Sequence, residues 1–264
     1  GGLAEFLRDH SGAQGPAYSL STACSTGAKA LVSARSLLEL GVCDAVIAGA
    51  ADSLCGLTAN GFGALQALAA DVSNPMSASR DGLTLGEGAA LFLLLREDSG
   101  IQLLGAGESS DAHHISAPDP EGRGAAEAMQ AAIVEAGCRP GDVAYLNLHG
   151  TGTPHNDAME SLAVARTFPD GVPASSTKPL VGHTLGASGA LEAGFCWLVL
   201  DRAHDGQLDL PPHRFDGVRD PDLPAIGLVG PGSSAPAGPS PRVMTNSFGF
   251  GGSNCALVLG REVG

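Results

Sequence analysis

The sequence predicts a layered α/β protein, and three observations predict it. Short apolar runs of strand length (44–51, 89–95, 143–148, 242–247, 255–259) alternate with longer Ala-rich stretches of helix length (25–40, 124–136, 187–202). The runs are near-continuously apolar, the pattern of strands buried on two faces. Composition agrees: 38 Gly and few aromatics (8 Phe, 2 Tyr, 1 Trp) suit closely packed layers, and 44% apolar content excludes a disordered chain. The 264 residues suffice for one large domain or two fused halves.

Taken in order, residues 2–10 space Leu3, Phe6 and Leu7 as a helix and end before the turn residues 11–16. Residues 17–24 alternate and run into the apolar stretch 25–40, so a strand should deliver Cys24 to the first turn of a helix that Gly41 stops. A strand over 44–51 should be buried on both faces. Residues 57–68 read as helix and 71–80 as loop. Arg80-Asp81-Gly82 and Gly86-Glu87-Gly88 bracket a turn before a strand over 89–95; no helix follows the Gly-x-Gly, which therefore reads as close backbone packing and not a phosphate loop.

From Gly100 a second unit begins. It comprises a strand (101–106), a loop carrying Asp111, His113 and His114 (108–120), a helix (124–136) and a strand ending at His149 (143–148). A helix (157–168), a short strand or extended loop (174–179) and a helix matching the one after Cys24 (187–202) follow. The Pro/Gly/Ser-rich stretch 205–241 reads mostly as surface loop, and two strands close the unit. The chain thus divides into halves 1–99 and 100–264, the second whole and the first lacking its opening elements.

A formal charge of −14 argues against nucleic acid or an anionic membrane as partner. The six cysteines are scattered without a C-x-x-C pair, as reduced, cytoplasmic thiols would be. The longest apolar runs are too short to span a bilayer.

Four motifs carry chemistry. Cys24 lies among the small residues Ala23, Ser25, Thr26 and Gly27, which leave a carbonyl room to reach the sulfur, and a helix start would favour the thiolate. A lone cysteine is more often a small buried hydrophobe, so the reading depends on what accompanies it. His149, ahead of Gly150-Thr151-Gly152-Thr153-Pro154, would present an imidazole to a pocket in which Thr151 and Thr153 offer hydrogen bonds to an amide-containing ligand. Ser176-Thr177-Lys178-Pro179-Leu180-Val181-Gly182-His183 supplies a second histidine before an apolar helix. The hairpin over 246–254, with Phe248 and Phe250 among glycines, suits a lid or an oxyanion-binding backbone. Cys24, His149 and His183 are zinc-type residues, but no metal-ligand spacing supports a site and none is expected. His113, His114 and the exposed-looking His155 are given no chemistry.

In this order, and together with Arg80-Asp81-Gly82 and Ser110-Asp111-Ala112-His113-His114, the motifs resemble the β-ketoacyl-[acyl-carrier-protein] synthases of the thiolase-like fold over nearly the whole chain. Gly41-Val42-Cys43-Asp44-Ala45-Val46-Ile47, Asp52-Ser53-Leu54 and Leu57-Thr58 resemble the aryl-polyene or polyketide type within them. The resemblance implies an α-β-α-β-α layered fold and a Cys-His-His site. In it Cys24 takes an acyl group from a carrier-protein thioester. The N–H groups of Cys24 and Phe250 hold the oxyanion, and His149 and His183 stabilise the enolate left when malonyl decarboxylates. It further implies Lys178 with Glu192 as a supporting ion pair, Glu160 as a supporting carboxylate and Thr151, Thr153 and Phe248 as substrate contacts. Phe250 would also be a gate. No cofactor is implied beyond the carrier's phosphopantetheine; the partners implied are acyl carrier protein and either a second copy or a catalytically silent relative. Ser116 stands where relatives often have Thr, and Cys24 itself argues against the silent partner type. Because the resemblance begins near Gly2, ahead of a nucleophile that relatives carry much later, the chain is expected to be a fragment needing its missing part. Two rival expectations are a non-catalytic remnant and a Cys24–His149 thioester hydrolase.

Overall fold

The computed structural model describes residues 2–97 and 100–261. In chain order its elements are α1 (Leu3–Ser11), α2 (Thr26–Glu39), β1 (Ala45–Asp52), α3 (Gly56–Ala64), β2 (Gly88–Leu95), β3 (Ile101–Ser110), α4 (Arg123–Glu135), β4 (Val143–Asn147) and α5 (Pro154–Thr167). There follow β5 (Pro173–Ser175), the single turn α6 (Lys178–Val181), α7 (Ser188–Asp201), β6 (Gln207–Asp209), β7 (Gly227–Leu228), β8 (Ser234–Pro236), β9 (Arg242–Gly249) and β10 (Ser253–Arg261).

The second half builds a six-stranded sheet in the order β3-β10-β9-β4-β5-β7, antiparallel across β3, β10 and β9 and parallel from β9 onward. Strand alternation sorts its side chains. Met244, Ala256 and Val258 face α4 and α5, where Ala128, Met129, Ala132, Met159 and Ala163 complete one core. Val243, Tyr145, Cys255 and Leu257 face α2 and α7, where Ala28, Leu31, Ala34, Ala193, Cys196 and Leu200 complete the other. Beyond that helix pair lies the antiparallel pair β1–β2, whose Val46, Ala48, Phe92 and Leu94 close the same core. The layers run α4/α5, six-stranded sheet, α2/α7, β1–β2.

The small residues of α2 and α7 bring the two helices into backbone contact. A Cβ on Gly27 would stand 2.6 Å from the Ala190 nitrogen, and one on Gly189 would stand 2.7 Å from the Ala28 nitrogen. Gly86 is a second close approach, packed on Gly182, so the Gly-x-Gly does serve backbone packing.

Three expectations are corrected. Residues 17–22 form no strand, since among the described residues none lies alongside to complete a ladder. β1 is buried on one face only: Ala48 and Ala50 are inside while Ile47, with Leu91, Leu93 and Leu95 of β2, is exposed on the other. The apolar run could not show that only one side is covered. The 205–241 stretch holds three short strands and sinks Leu208, Leu210, His213 and Ala235 into the molecule. No described helix is long and apolar enough to cross a membrane.

Candidate active site

Cys24 does not sit in the first turn of α2. It occupies a three-residue 3-10 turn, Ala23–Ser25, immediately before the helix. The turn opens at Ala23 with φ +53°, an unfavourable left-handed conformation for a residue with a Cβ. The same device precedes α7, where Leu185 (φ +49°) opens the turn Leu185–Ala187 just after His183. Both turns pack together at the head of the α2/α7 pair, which brings Cys24 and His183 face to face.

The result is a compact constellation. Cys24 Sγ lies 3.2 Å from His183 Nε2, and one ligating atom from each of Cys24, His149 and His183 lies within 4.8 Å of the others. The two imidazoles meet edge to face with centroids 5.3 Å apart, and Phe248 sets its ring against His149 at 5.9 Å. All three functional groups are buried. They line a cavity of about 250 Å³ with Thr151, Thr153, Phe248, Phe250, Ser116, Asp111 and Asn254. Thr151 and Thr153 share a hydrogen bond of 2.9 Å between their hydroxyls.

Behind the imidazoles stands a charged layer. Lys178 and Glu192, both 2% exposed, pair at 2.5 Å, and Lys178 Nζ lies 3.4 Å from His149 Nδ1. An ammonium can only donate, so Nδ1 accepts and the ring hydrogen sits on Nε2, toward the cavity. Glu160 accepts from the N–H groups of His149 (2.8 Å) and Gly150 (2.7 Å) and from Asn246 Nδ2 (3.1 Å), which fixes the strand end carrying His149. Asp157 does likewise for the N–H groups of Met76 (2.8 Å) and Gly152 (3.2 Å).

Burial sets the protonation states. It holds both His149 and His183 well below the usual histidine value, with the Lys178 charge acting in the same direction, so both rings are neutral at pH 7. It pushes the Cys24 thiol up to about 11, against the Lys178 charge and the N–H groups of Phe250 and Cys24 that pull it down. The resting group is therefore a thiol, contrary to the thiolate expected from a helix start, and the neighbouring His183 Nε2 is the acceptor for its proton. Burial also raises Glu160 to about 7 in spite of the N–H donors that pull it down.

Phe250 is 40% exposed and its ring stacks obliquely on Phe62 of α3 at 5.7 Å. It lines both the small cavity and a larger open cleft of about 1110 Å³ bounded by residues of α1, α2 and β1, standing between the two with Cys24. Every residue singled out from the motifs lies at this site or in the layer behind it; His155, given no chemistry, also lines the small cavity although it is exposed, and His114 only turns its Nδ1 toward the Ser116 N–H. Sequence reading missed Asp157, Asn246 and Phe62. Asp157 lies three residues beyond the His149 motif and Asn246 opens the 246–254 hairpin, whereas Phe62 acts through Phe250, far away in sequence.

A buried thiol, an acceptor imidazole and paired backbone donors make a site for acyl transfer through a thioester. Residues 3–99 match the family model for the beta-ketoacyl synthase N-terminal domain and residues 101–204 that for the beta-ketoacyl synthase C-terminal domain, and the chain belongs to the beta-ketoacyl synthase family. It is 36% identical over 279 residues to the 3-oxoacyl-[acyl-carrier-protein] synthase 2 of Rhizobium meliloti (strain 1021), covering 95% of this chain and 62% of that protein. A chain of the solved ketosynthase (ApeO) in complex with its chain length factor (ApeC) from Xenorhabdus doucetiae is 48% identical, with a TM-score of 0.92 over 98% of this chain and 63% of the other. A chain of the AntDE:AntF structure, a type II polyketide synthase acyl-carrier protein in complex with its ketosynthase bound to the hexaketide, is 26% identical with a TM-score of 0.87, covering 99% of this chain and 66% of the other. The chain spans a little under two thirds of the length of these relatives.

Proposed function

We propose that the protein carrying this sequence is a condensing enzyme that joins an acyl group on Cys24 to malonyl-acyl carrier protein, giving 3-oxoacyl-acyl carrier protein and CO2. The observation that carries the reading is the convergence of Cys24, His149 and His183 within 4.8 Å on one cavity. In the first half-reaction Cys24 Sγ attacks the thioester carbonyl carbon. Its proton passes to His183 Nε2 and on to the departing pantetheine thiolate. The N–H groups of Cys24 and Phe250, which pull the thiol's pKa down, hold the oxyanion. Thr151 and Thr153 meet the amides of the pantetheine arm.

In the second half-reaction His149 donates from Nε2 to the malonyl thioester carbonyl, and His183, no longer accepting from a sulfur that is now acylated, donates beside it once its ring hydrogen has shifted from Nδ1 to Nε2. The bond to the carboxylate breaks, CO2 leaves, and its electron pair enters the enolate those donors stabilise. The nucleophilic carbon attacks the acyl carbonyl on Cys24; the tetrahedral adduct collapses, and the expelled Cys24 thiolate takes up a proton. Phe250, between cleft and cavity, gates the passage between the two half-reactions. The likeness to a ketosynthase solved with its chain length factor favours a catalytically silent relative as the second subunit, and a cytoplasmic setting with carrier protein as partner follows from the same reading.

Incubation with acyl-carrier protein followed by intact-mass measurement tests this. The expected result is an acyl adduct on Cys24 that malonyl-carrier protein discharges as a 3-oxoacyl product. Absence of any adduct would make the chain a non-catalytic relative, and release of free acid without malonyl would make it a hydrolase.

A further inference from the structure

The Pro-rich segment between α7 and β9 takes no part in the chemistry above, yet one of its side chains reaches the back of the site. His213 follows Pro211 and Pro212 and is 3% exposed. Its Nδ1 accepts the Ser176 N–H at 3.0 Å, and its Nε2 lies 3.0 Å from the Pro75 carbonyl oxygen. An amide N–H only donates and a carbonyl only accepts, so the ring is neutral with its hydrogen on Nε2. Burial holds its pKa down at about 4, which keeps that form through neutral pH.

Ser176 passes the constraint on in two directions. Its hydroxyl donates to the Gly150 carbonyl at 2.6 Å, next to His149, and accepts the Lys178 N–H at 3.3 Å. Lys178 Nζ in turn stands 3.4 Å from His149 Nδ1. One serine, fixed by one buried imidazole, therefore touches both sides of the Lys178–His149 contact. His183 is held separately, by backbone bonds to Thr84 (2.7 Å) and Gly86 (2.9 Å), and Cys24 by its own turn.

We propose that His213 is a positioning residue for the decarboxylation half-reaction: by accepting the Ser176 N–H it sets the Lys178–His149 contact, and through it the aim of His149 Nε2–H at the malonyl thioester carbonyl. This rests on the condensing reading above. Acyl transfer to Cys24, which uses Cys24, His183 and the Phe250 N–H, is affected much less.

Matched variants separate this from a merely structural role. The Oδ1 of His213→Asn falls where Nδ1 stands and keeps an acceptor for Ser176. His213→Gln reaches Pro75 instead and leaves the Ser176 N–H buried without a partner. Three readouts are compared with wild type: the rate of Cys24 acylation by intact mass, CO2 release from malonyl-carrier protein, and the thermal midpoint. In His213→Gln, decarboxylation is expected to fall about tenfold or more while Cys24 acylation stays within about threefold, and His213→Asn should recover most of the loss. Equal rates in the two variants, or equal losses in both half-reactions, overturn the proposal. A wild-type protein inert in both half-reactions overturns the condensing reading itself, a distinguishable result.

Discussion

At the scale of single residues the proposed reaction divides its labour between two neutral imidazoles. His183 Nε2 stands 3.2 Å from the sulfur whereas His149 is backed by Lys178 at 3.4 Å, so removing one group should not silence both half-reactions. Cys24→Ala should lose acylation entirely yet still release CO2 from malonyl-carrier protein, because both donors to that carbonyl remain. His149→Ala should do the reverse: acylation persists, and decarboxylation falls by about a hundredfold or more. Parallel mass and CO2 measurements on the two variants check this; a Cys24→Ala protein that folds and releases no CO2 would count against the roles given to the histidines. These residues were legible in the sequence because each sits inside a compact run of small and hydroxyl residues. The resting thiol was not legible, because burial is decided by layers from both halves of the chain. His213 was equally hidden, for a histidine in an irregular Pro-rich stretch carries no periodic signal of burial.

At the scale of elements, apolar spacing placed α1, α2, α4 and α7 to within one residue but missed the start of α5 by three and the end of α3 by four, whereas strand character and burial were not readable. Residues 17–22 alternate like a strand but have no ladder to join, and β1 and β2 are as apolar as β9 and β10 though only one face of the former pair is covered. A strand is defined by its neighbours, which a local pattern does not contain. The α2/α7 crossing yields a sharper test, since glycine weakens an exposed helix and yet is required where two backbones touch. Gly189→Ala would place a Cβ 2.7 Å from the Ala28 nitrogen and 2.8 Å from Ser247 Oγ. It should cost about 1–3 kcal/mol despite the better helix propensity. Gly194→Ala, on the same helix, meets only Phe92 Cζ at 3.8 Å and should gain up to about 1 kcal/mol. Urea unfolding of both variants decides the matter, the expected midpoints moving in opposite directions. Because the crossing also carries the Cys24 and His183 turns, Gly189→Ala should slow acylation as well.

At the scale of the whole molecule, the buried layer behind the cavity makes stability depend on pH in two opposed ways. His213 has its pKa lowered from 6.5 to about 4 by burial, so between those values the unfolded chain binds a proton that the folded protein refuses. Its contribution is complete above pH 6.5 and is lost as pH falls toward 4, about 3 kcal/mol in all. Glu160 runs the other way: raised from 4.5 to about 7, it keeps a proton in the folded state that the unfolded chain releases. Its contribution is complete below pH 4.5 and is lost as pH rises to 7, again about 3 kcal/mol. His149 and His183, whose values burial also lowers, add to the first effect. The wild-type profile is thus a compensated sum, and single substitutions should uncover its parts. Relative to wild type, His213→Asn should lose less stability on going from pH 6.5 to 4, and Glu160→Gln should lose less on going from 4.5 to 7. Denaturant unfolding at half-unit pH intervals reads both slopes. Parallel profiles for wild type and either variant would mean that the group concerned titrates alike in the folded and unfolded states, and that burial does not set its protonation as described.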